Sequence, residues 1–424
     1  HYHDLPWDEN CGTMYHSSMT AQDHATGPSL TLMLVMLGII GPFALQVFLP
    51  SMPGLVEEFG ASHGEVQLTI SLYVAAFAFA QLGYGSLSDR FGRRRIILMG
   101  LAIYVIAPLI CATAESIEIL ATGRALQALG SCAGLMFARV IARDVYGRNR
   151  AAGVIGFVTM ITALVGSATP ILGGWIDVFI GWRANFWITS ALGLVVFAVT
   201  LLWLPETRPE NSVENVVATF RRGFQLLRSP VFVGYAGHGT CTLSAWYAMV
   251  AGLPFVMVDA LDQPTTAYGL YFPFLSLGYM AGNMVTARVA ESWGIHRLIT
   301  GGIGLALFAC PLMVVWCLVL TPAPVALFLP MGLISFGHGM SQPATTSGAI
   351  GVNPALAGSA AGFMGFGQWL IAAVTAQVVG MIQNGTVWPT MVVVIGFTVL
   401  SGISYLLARW GDARAPNTSS RPSP

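Results

Sequence analysis

Residues 83–95 read Gly-Tyr-Gly-Ser-Leu-Ser-Asp-Arg-Phe-Gly-Arg-Arg-Arg, a Gly85-x-x-x-Asp89-Arg90-x-Gly92-x-Arg94-Arg95 pattern between two apolar segments. Arginines this dense cannot sit in hydrocarbon, so the stretch marks a tight turn at a membrane face. Gly83 and Gly85 let helix backbones approach closely. Asp89 falls where a helix leaves the bilayer, and a carboxylate there calls for an arginine or a helix N-terminus as partner. Arg143, in the run Arg139-Val-Ile-Ala-Arg143-Asp144, is the expected partner. A second charged position, Arg124 in Gly123-Arg124-Ala-Leu-Gln127-Ala-Leu-Gly130, lies inside an apolar run. An arginine at that depth is either functional or a structural tether to the first helix, and both readings stand. The other titratable groups at depth are histidines: His338 lies about 20 Å and His238 about 12 Å into their segments at a rise of about 1.5 Å per residue. No Ser-His-Asp set, metal-ligand cluster or nucleotide loop is visible in the sequence. Neither an enzyme, nor a cofactor, nor a metal site is therefore expected.

These residues need a membrane scaffold to hold them. The chain has 424 residues, 55% hydrophobic and only 9% charged, with a mean hydropathy of +0.70. Soluble domains carry about 25% charged residues. Twelve windows long enough to span a bilayer fit at 30–50, 66–88, 96–113, 118–140, 151–173, 183–204, 230–258, 266–289, 297–320, 325–349, 356–383 and 388–409. They are called spans 1–12 below. The 19 basic residues are all arginine, and twelve crossings put nearly all of those outside the spans on one side. Only Arg183 falls on the other. The positive-inside rule makes the arginine-rich side cytoplasmic, with both termini there. A formal net charge of +0 argues against a nucleic-acid partner.

Six spans flank the polar stretch 205–228, where Val213, Val216, Val217, Phe220, Phe224 and Leu227 recur at helical spacing beside Arg221, Arg222 and Arg228. The pattern predicts an amphipathic surface helix in a linker. It divides the chain into a tail (1–28), a first half (29–204), the linker (205–228), a second half (229–409) and a disordered C-terminal tail (410–424). A weak echo of the arginine turn supports related halves: Gly278-x-x-x-Gly282-Asn283, then Arg288, Trp293-Gly294 and Arg297. The first 18 residues read as upstream translation or the edge of a fragment. The six cysteines show no paired spacing.

The arginine-turn pattern resembles the loop between helices 2 and 3 of the major facilitator superfamily. Span 5 ends Thr169-Pro170-Ile-Leu-Gly173-Gly174, which resembles the helix 5 motif of drug/proton antiporters with Thr169 in place of Gly. With Gln46 to Pro53 at the end of span 1 and the Arg139–Asp144 run, the chain is similar to the Bcr/CflA branch of efflux pumps over nearly all of 30–409. The resemblance implies an all-α fold of two pseudo-symmetric six-helix halves, working as a monomer in the bacterial inner membrane. It implies export of small drug-like molecules in exchange for protons by alternating access. It makes Gly85, Asp89, Arg90, Gly92, Arg94 and Arg143 the conformational switch. One departure is Gln46, where that branch often has an aspartate. Gln cannot titrate, so proton coupling or cavity roles pass to Arg124, Gln127 and His338, with His338 the carrier. Polar and aromatic residues within spans make the expected substrate cavity: Phe43, Tyr73, His238, Trp246, Tyr271, Phe274, Gln342, Phe366 and Trp369, with Gln368 beside them. The alternative is an importer, or a proton-independent facilitator, of a small metabolite.

Overall fold

The computed structural model describes residues 28–207, 223–319, 323–353 and 356–414; the side chains of Pro28, Ser29, Ser86, Asp89, Gly147, Arg148, Asn149 and Ala152 lie outside the described set. Every long element among the described residues is a helix, and no strand occurs among them. Span 1 is Pro28–Gln46, followed by a 3₁₀ turn at Leu49–Ser51 and a short helix Met52–Phe59. Span 2 is His63–Phe91, opened by a capping box in which Ser62 and Glu65 exchange hydrogen bonds. Span 3 is Arg93–Ala112 and span 6 is Trp182–Trp203. Span 7 is Pro230–Phe255 with a π-turn at Val256–Ala260, and spans 10, 11 and 12 are Pro324–Gly351, Ala357–Ile382 and Trp388–Arg414.

Two pairs of spans are joined without a loop. Helix Ile117–Ile180 carries spans 4 and 5. Gly134 and Val158 both approach span 1 near Leu37 and Gly38, while Arg124 and Gly166 both approach it near Ala44 and Gln46. Spans 4 and 5 are thus antiparallel, and the chain reverses between residues 134 and 158. Helix Thr265–Val319 carries spans 8 and 9 and breaks at Gly294, φ 71°. Among the described residues, eleven helical stretches are long and apolar enough to cross a bilayer, the 55-residue one counted once. Split at Gly294, it brings the number to the twelve expected.

The halves repeat one packing scheme. Span 4 packs on span 1 through Gly41 and Ser131, on span 2 through the Tyr73–Ser131 hydrogen bond (2.7 Å), and on span 3 through Gly130 and Tyr104. In the second half span 10 packs likewise on span 7 (Gly348 and Tyr235), span 8 (Gly339 and Tyr279) and span 9 (Gly337 and Gly302). The arginine-turn echo is real in the backbone. Gly92 turns span 2 into span 3 at φ 93°, and Gly294 turns span 8 into span 9 at φ 71°, a region where a side chain would be strained. The halves meet along spans 2 and 11 and along spans 5 and 8. A Cβ on Gly380 would come within 2.3 Å of the Gln67 side chain, and one on Gly269 within 2.6 Å of the Pro170 carbonyl. Both seams are tight at the end opposite the arginine turn, where His63 Nε2 lies 2.9 Å from Asp259 Oδ2 and Gln377 donates to the Gly64 carbonyl at 3.0 Å.

The five cysteines among the described residues are free. The expected linker helix lies mostly outside the described residues, as does the N-terminal tail. Its described end, Gly223 onward, packs on span 11 through Phe224 and Phe363, ring centroids 5.3 Å apart.

Candidate functional site

Span 1 stops being helical at Gln46, within a helix that holds Pro42, and Pro50 and Pro53 follow. A helix end leaves carbonyls without donors, and in a bilayer no water meets them cheaply. The chain supplies donors. The Val47 N–H bonds to the Phe43 carbonyl at 3.0 Å, and Arg124 Nη1 donates to the Ala44 carbonyl at 2.9 Å. Arg124 is wholly buried. The same nitrogen donates to Gln127 Oε1 at 2.6 Å. The guanidinium lies over three rings, with Cζ 4.5 Å from the Tyr73 centroid, 4.8 Å from Phe48 and 5.9 Å from Phe186. The tether reading of Arg124 accordingly has a definite partner, the end of span 1.

Tyr73 also lines a cavity of about 170 Å³ between the halves. Of the expected residues, Gln46, Tyr73, Trp246 and Trp369 line it. Phe77, Tyr247, Leu45 and Leu135 join them. Phe77 and Trp369 cross the boundary between halves with centroids 4.8 Å apart, and Trp369 continues to Tyr247 at 5.7 Å. Sequence reading missed Phe77 and Tyr247. The available signal was their register: each sits beside or one turn from a residue that was singled out, Tyr73 and Trp246.

The structure places the other expected residues elsewhere. Arg124, over the Tyr73 ring, and its partner Gln127 are not among the lining residues. Phe43 is half-buried and is not among the lining residues. Tyr271 stacks on Phe274 at 6.2 Å and packs on Phe328 at 5.4 Å. Phe366 packs on Phe79 at 5.4 Å. Gln342 Oε1 accepts from Thr242 at 2.6 Å. His238 is buried, with Nδ1 3.0 Å from the Ser401 carbonyl and Nε2 2.9 Å from Ser341 Oγ. His338 is 3% exposed, and its Nε2 has no hydrogen-bond partner among the described residues. Its flanking glycines serve helix contact: a Cβ on Gly337 would meet the Gly302 carbonyl at 2.4 Å and one on Gly339 the Tyr279 carbonyl at 2.1 Å.

The arginine turn is held by carboxylates that the sequence did not single out as its partners. Arg93, nearly buried, pairs with Asp144. The Arg93 and Arg94 backbone N–H groups donate to the two oxygens of Glu206 at 2.8 and 3.3 Å, which neutralises the N-terminus of span 3. Arg94 also donates to the Leu201 carbonyl at 2.7 Å. Arg143 is exposed. The expected Asp89–Arg143 pair involves a side chain outside the described residues. Gly85 faces span 4 at Met136.

The span 5 motif works through its backbone. Thr169 donates to the Val165 carbonyl at 2.6 Å. Pro170 removes a helical donor. A Cβ on Gly173 would stand 2.0 Å from the Val47 carbonyl, and one on Gly174 3.1 Å from Thr266 Cα. The motif therefore brings span 5 against both the broken end of span 1 and the start of span 8. No cluster of metal-ligating residues occurs among the described residues.

The Major Facilitator Superfamily model matches residues 34–376. The chain is a member of that superfamily. Multidrug resistance protein D of Escherichia coli is 29% identical over 373 residues, covering 84% of this chain and 89% of that protein. The chloramphenicol resistance protein of Pseudomonas aeruginosa is 25% identical over 380 residues, covering 88% and 89%. A solved bacterial homologue of the human lysosomal transporter Spinster, inward-facing and unoccupied, superposes with a TM-score of 0.73 at 15% identity over 92% of this chain and 98% of that one. At that identity the likeness establishes the fold. As a superfamily member with twelve apolar spans, the chain is a multi-pass membrane transporter of small molecules.

Proposed function

We propose that this transporter exports small, ring-bearing drug-like molecules from the cytoplasm across the bacterial inner membrane, in exchange for protons. One observation carries the reading: an aromatic cavity built from spans 1, 2, 7 and 11 lies on the boundary between the halves, in a chain whose named relatives are drug-resistance proteins. The tight seams at the end opposite the arginines support a state whose cavity faces the arginine-rich side. By the positive-inside rule that side is the cytoplasm, and both termini lie there. Residues 29–204 and 229–409 move as two bodies joined by 205–228, with the tail at 410–424, in a chain that works as a monomer. Gly85, Asp89, Arg90, Gly92, Arg94 and Arg143 form the switch that holds this state. His338 carries the proton, because no carboxylate lies near the middle of a span and Gln46 cannot titrate.

The test is drug uptake into everted vesicles, the counterpart of export from the cell, under an imposed pH gradient with chloramphenicol as cargo. Export that stops when the gradient is collapsed supports antiport. Asp89→Asn should slow it severely while leaving the protein inserted, and Trp369→Ala should weaken substrate binding. Export indifferent to the gradient would instead assign the chain to proton-independent facilitation, the reading that Gln46 favours.

A further inference from the structure

We propose that the cavity selects uncharged aromatic ligands over organic cations, and that Gln46 and Arg124 set this preference. The proposal rests on reading the cavity as the transport site. Its walls are Tyr73, Phe77, Trp246, Tyr247 and Trp369, with Gln46 as a polar group, and no charged side chain lines it. An aromatic cage of this kind ordinarily welcomes a cation, because ring faces are negative. Here the face of Tyr73 is already taken: Arg124 Cζ sits 4.5 Å from its centroid. Arg124 is fully buried, and among the described residues its hydrogen bonds go to a carbonyl and a carboxamide rather than a carboxylate. An arginine keeps its charge in proteins. Tyr73 also lines the cavity, so this fixed charge lies close to it. A cation held about 8 Å from that charge is disfavoured roughly thirtyfold at an effective dielectric near 20.

Gln46 supplies what an uncharged ligand can use. Its carboxamide lies on Gly166 of span 5, where a Cβ would come within 3.1 Å of Nε2, and Oε1 has no hydrogen-bond partner among the described residues. A buried acceptor without a donor gains from a ligand hydroxyl or N–H. A carboxylate at this position would offset Arg124 and admit cations; an amide leaves the positive field standing. The volume, about 170 Å³, exceeds slightly the roughly 150 Å³ of an apolar cavity that takes benzene. The ligand class is thus an uncharged one- or two-ring aromatic carrying a hydrogen-bond donor.

The experiment compares naphthylmethanol with naphthylmethylammonium, which differ by a hydroxyl against an ammonium, in calorimetric titrations of the detergent-solubilised full chain at neutral pH. Wild type should bind the alcohol at least tenfold more tightly. Gln46→Glu, measured beside wild type at one mildly alkaline pH that still keeps the ammonium charged, should shrink or invert that ratio by at least tenfold. Trp369→Ala should weaken the alcohol in both backgrounds, which locates it in the cavity. Equal or tighter binding of the ammonium by wild type overturns the proposal. A ratio unchanged by Gln46→Glu overturns the role of Gln46. If the alcohol does not bind, or binds with no effect of Trp369→Ala, the cavity reading itself falls and this proposal with it.

Discussion

Each half of the molecule buries one polar centre between equivalent pairs of helices, spans 1 and 4 in the first and spans 7 and 10 in the second. The first-half centre is Arg124 in the outer part of span 4, caged by three rings and tied to a carbonyl. The second is His238, held by a carbonyl on one side of its ring and a hydroxyl on the other, with His338 three residues before that hydroxyl. A guanidinium cannot shed its charge, whereas an imidazole can gain or lose a proton. The scaffold is repeated and the chemistry is not. The first half offers a fixed field and a structural cap, and the second offers the titratable groups.

The largest effect should come from removing the fixed charge. Arg124→Ala leaves the Ala44 carbonyl and Gln127 Oε1 buried without their donor, at about 1–3 kcal/mol each. Transport should fall to background and the thermal unfolding midpoint should drop. Arg124→Lys should recover only part of both, because an ammonium lacks the planar fork and ring stacking of arginine. A Lys variant with full transport would reduce Arg124 to a point charge.

The comparison sharpens at the histidines. Both nitrogens of His238 are engaged, and His338 Nε2 is not. His238→Gln should therefore act on stability, by about 1 kcal/mol per lost hydrogen bond, and keep substrate-induced proton release. His338→Gln should abolish that release with little change in stability. Proton release measured in unbuffered detergent solution separates the two, and the opposite pattern would move the carrier to His238.

A smaller effect is expected at the arginine turn. Glu206→Gln keeps one of the two hydrogen bonds to the start of span 3, because an amide nitrogen cannot accept the second, and it removes a charge at the positive end of that helix, worth about 0.3–1 kcal/mol. Turnover should fall a few-fold at low salt and less at high salt. Smallest is the outer contact between halves. His63 and Asp259 are each about one-third exposed, 30% and 29%, and such pairs contribute about 0–1 kcal/mol. Asp259→Asn should shift the balance between closed and open outer ends by no more than about fivefold, read as the distance between spin labels on spans 2 and 7.

The twelve spans were legible because a helix in lipid must be long and apolar, and the arginines fixed their alternation. The turn between spans 2 and 3 was legible as a place but not as a clamp. Glu206 lies 113 positions from Arg93, and no local spacing announces that contact. The same limit hid the cage around Arg124. Phe48 and Phe186 come from spans 1 and 6, and in a chain with 11% aromatic residues a ring carries little contrast. Six of the nine expected cavity residues do not line it, because periodicity gives a residue's face only relative to its own helix axis. Close backbone approach was expected at Gly83 and Gly85, where a Cβ would meet only the side chains of Leu87 at 3.8 Å and Met136 at 3.7 Å; the tight approaches fall at Gly173, Gly269 and Gly337, where a neighbouring carbonyl lies where a methyl would be.

Glu206 stands at the start of the segment that leads from the first half toward span 7, where span 6 has just finished. It therefore works as the anchor point of a leash. Its two hydrogen bonds pin the start of that segment to the backbone of Arg93 and Arg94. If the halves move as proposed, a pull on the segment would be felt at the turn that carries the arginines, and lengthening or cutting the segment should then alter the behaviour of that turn without any change to the turn's own residues.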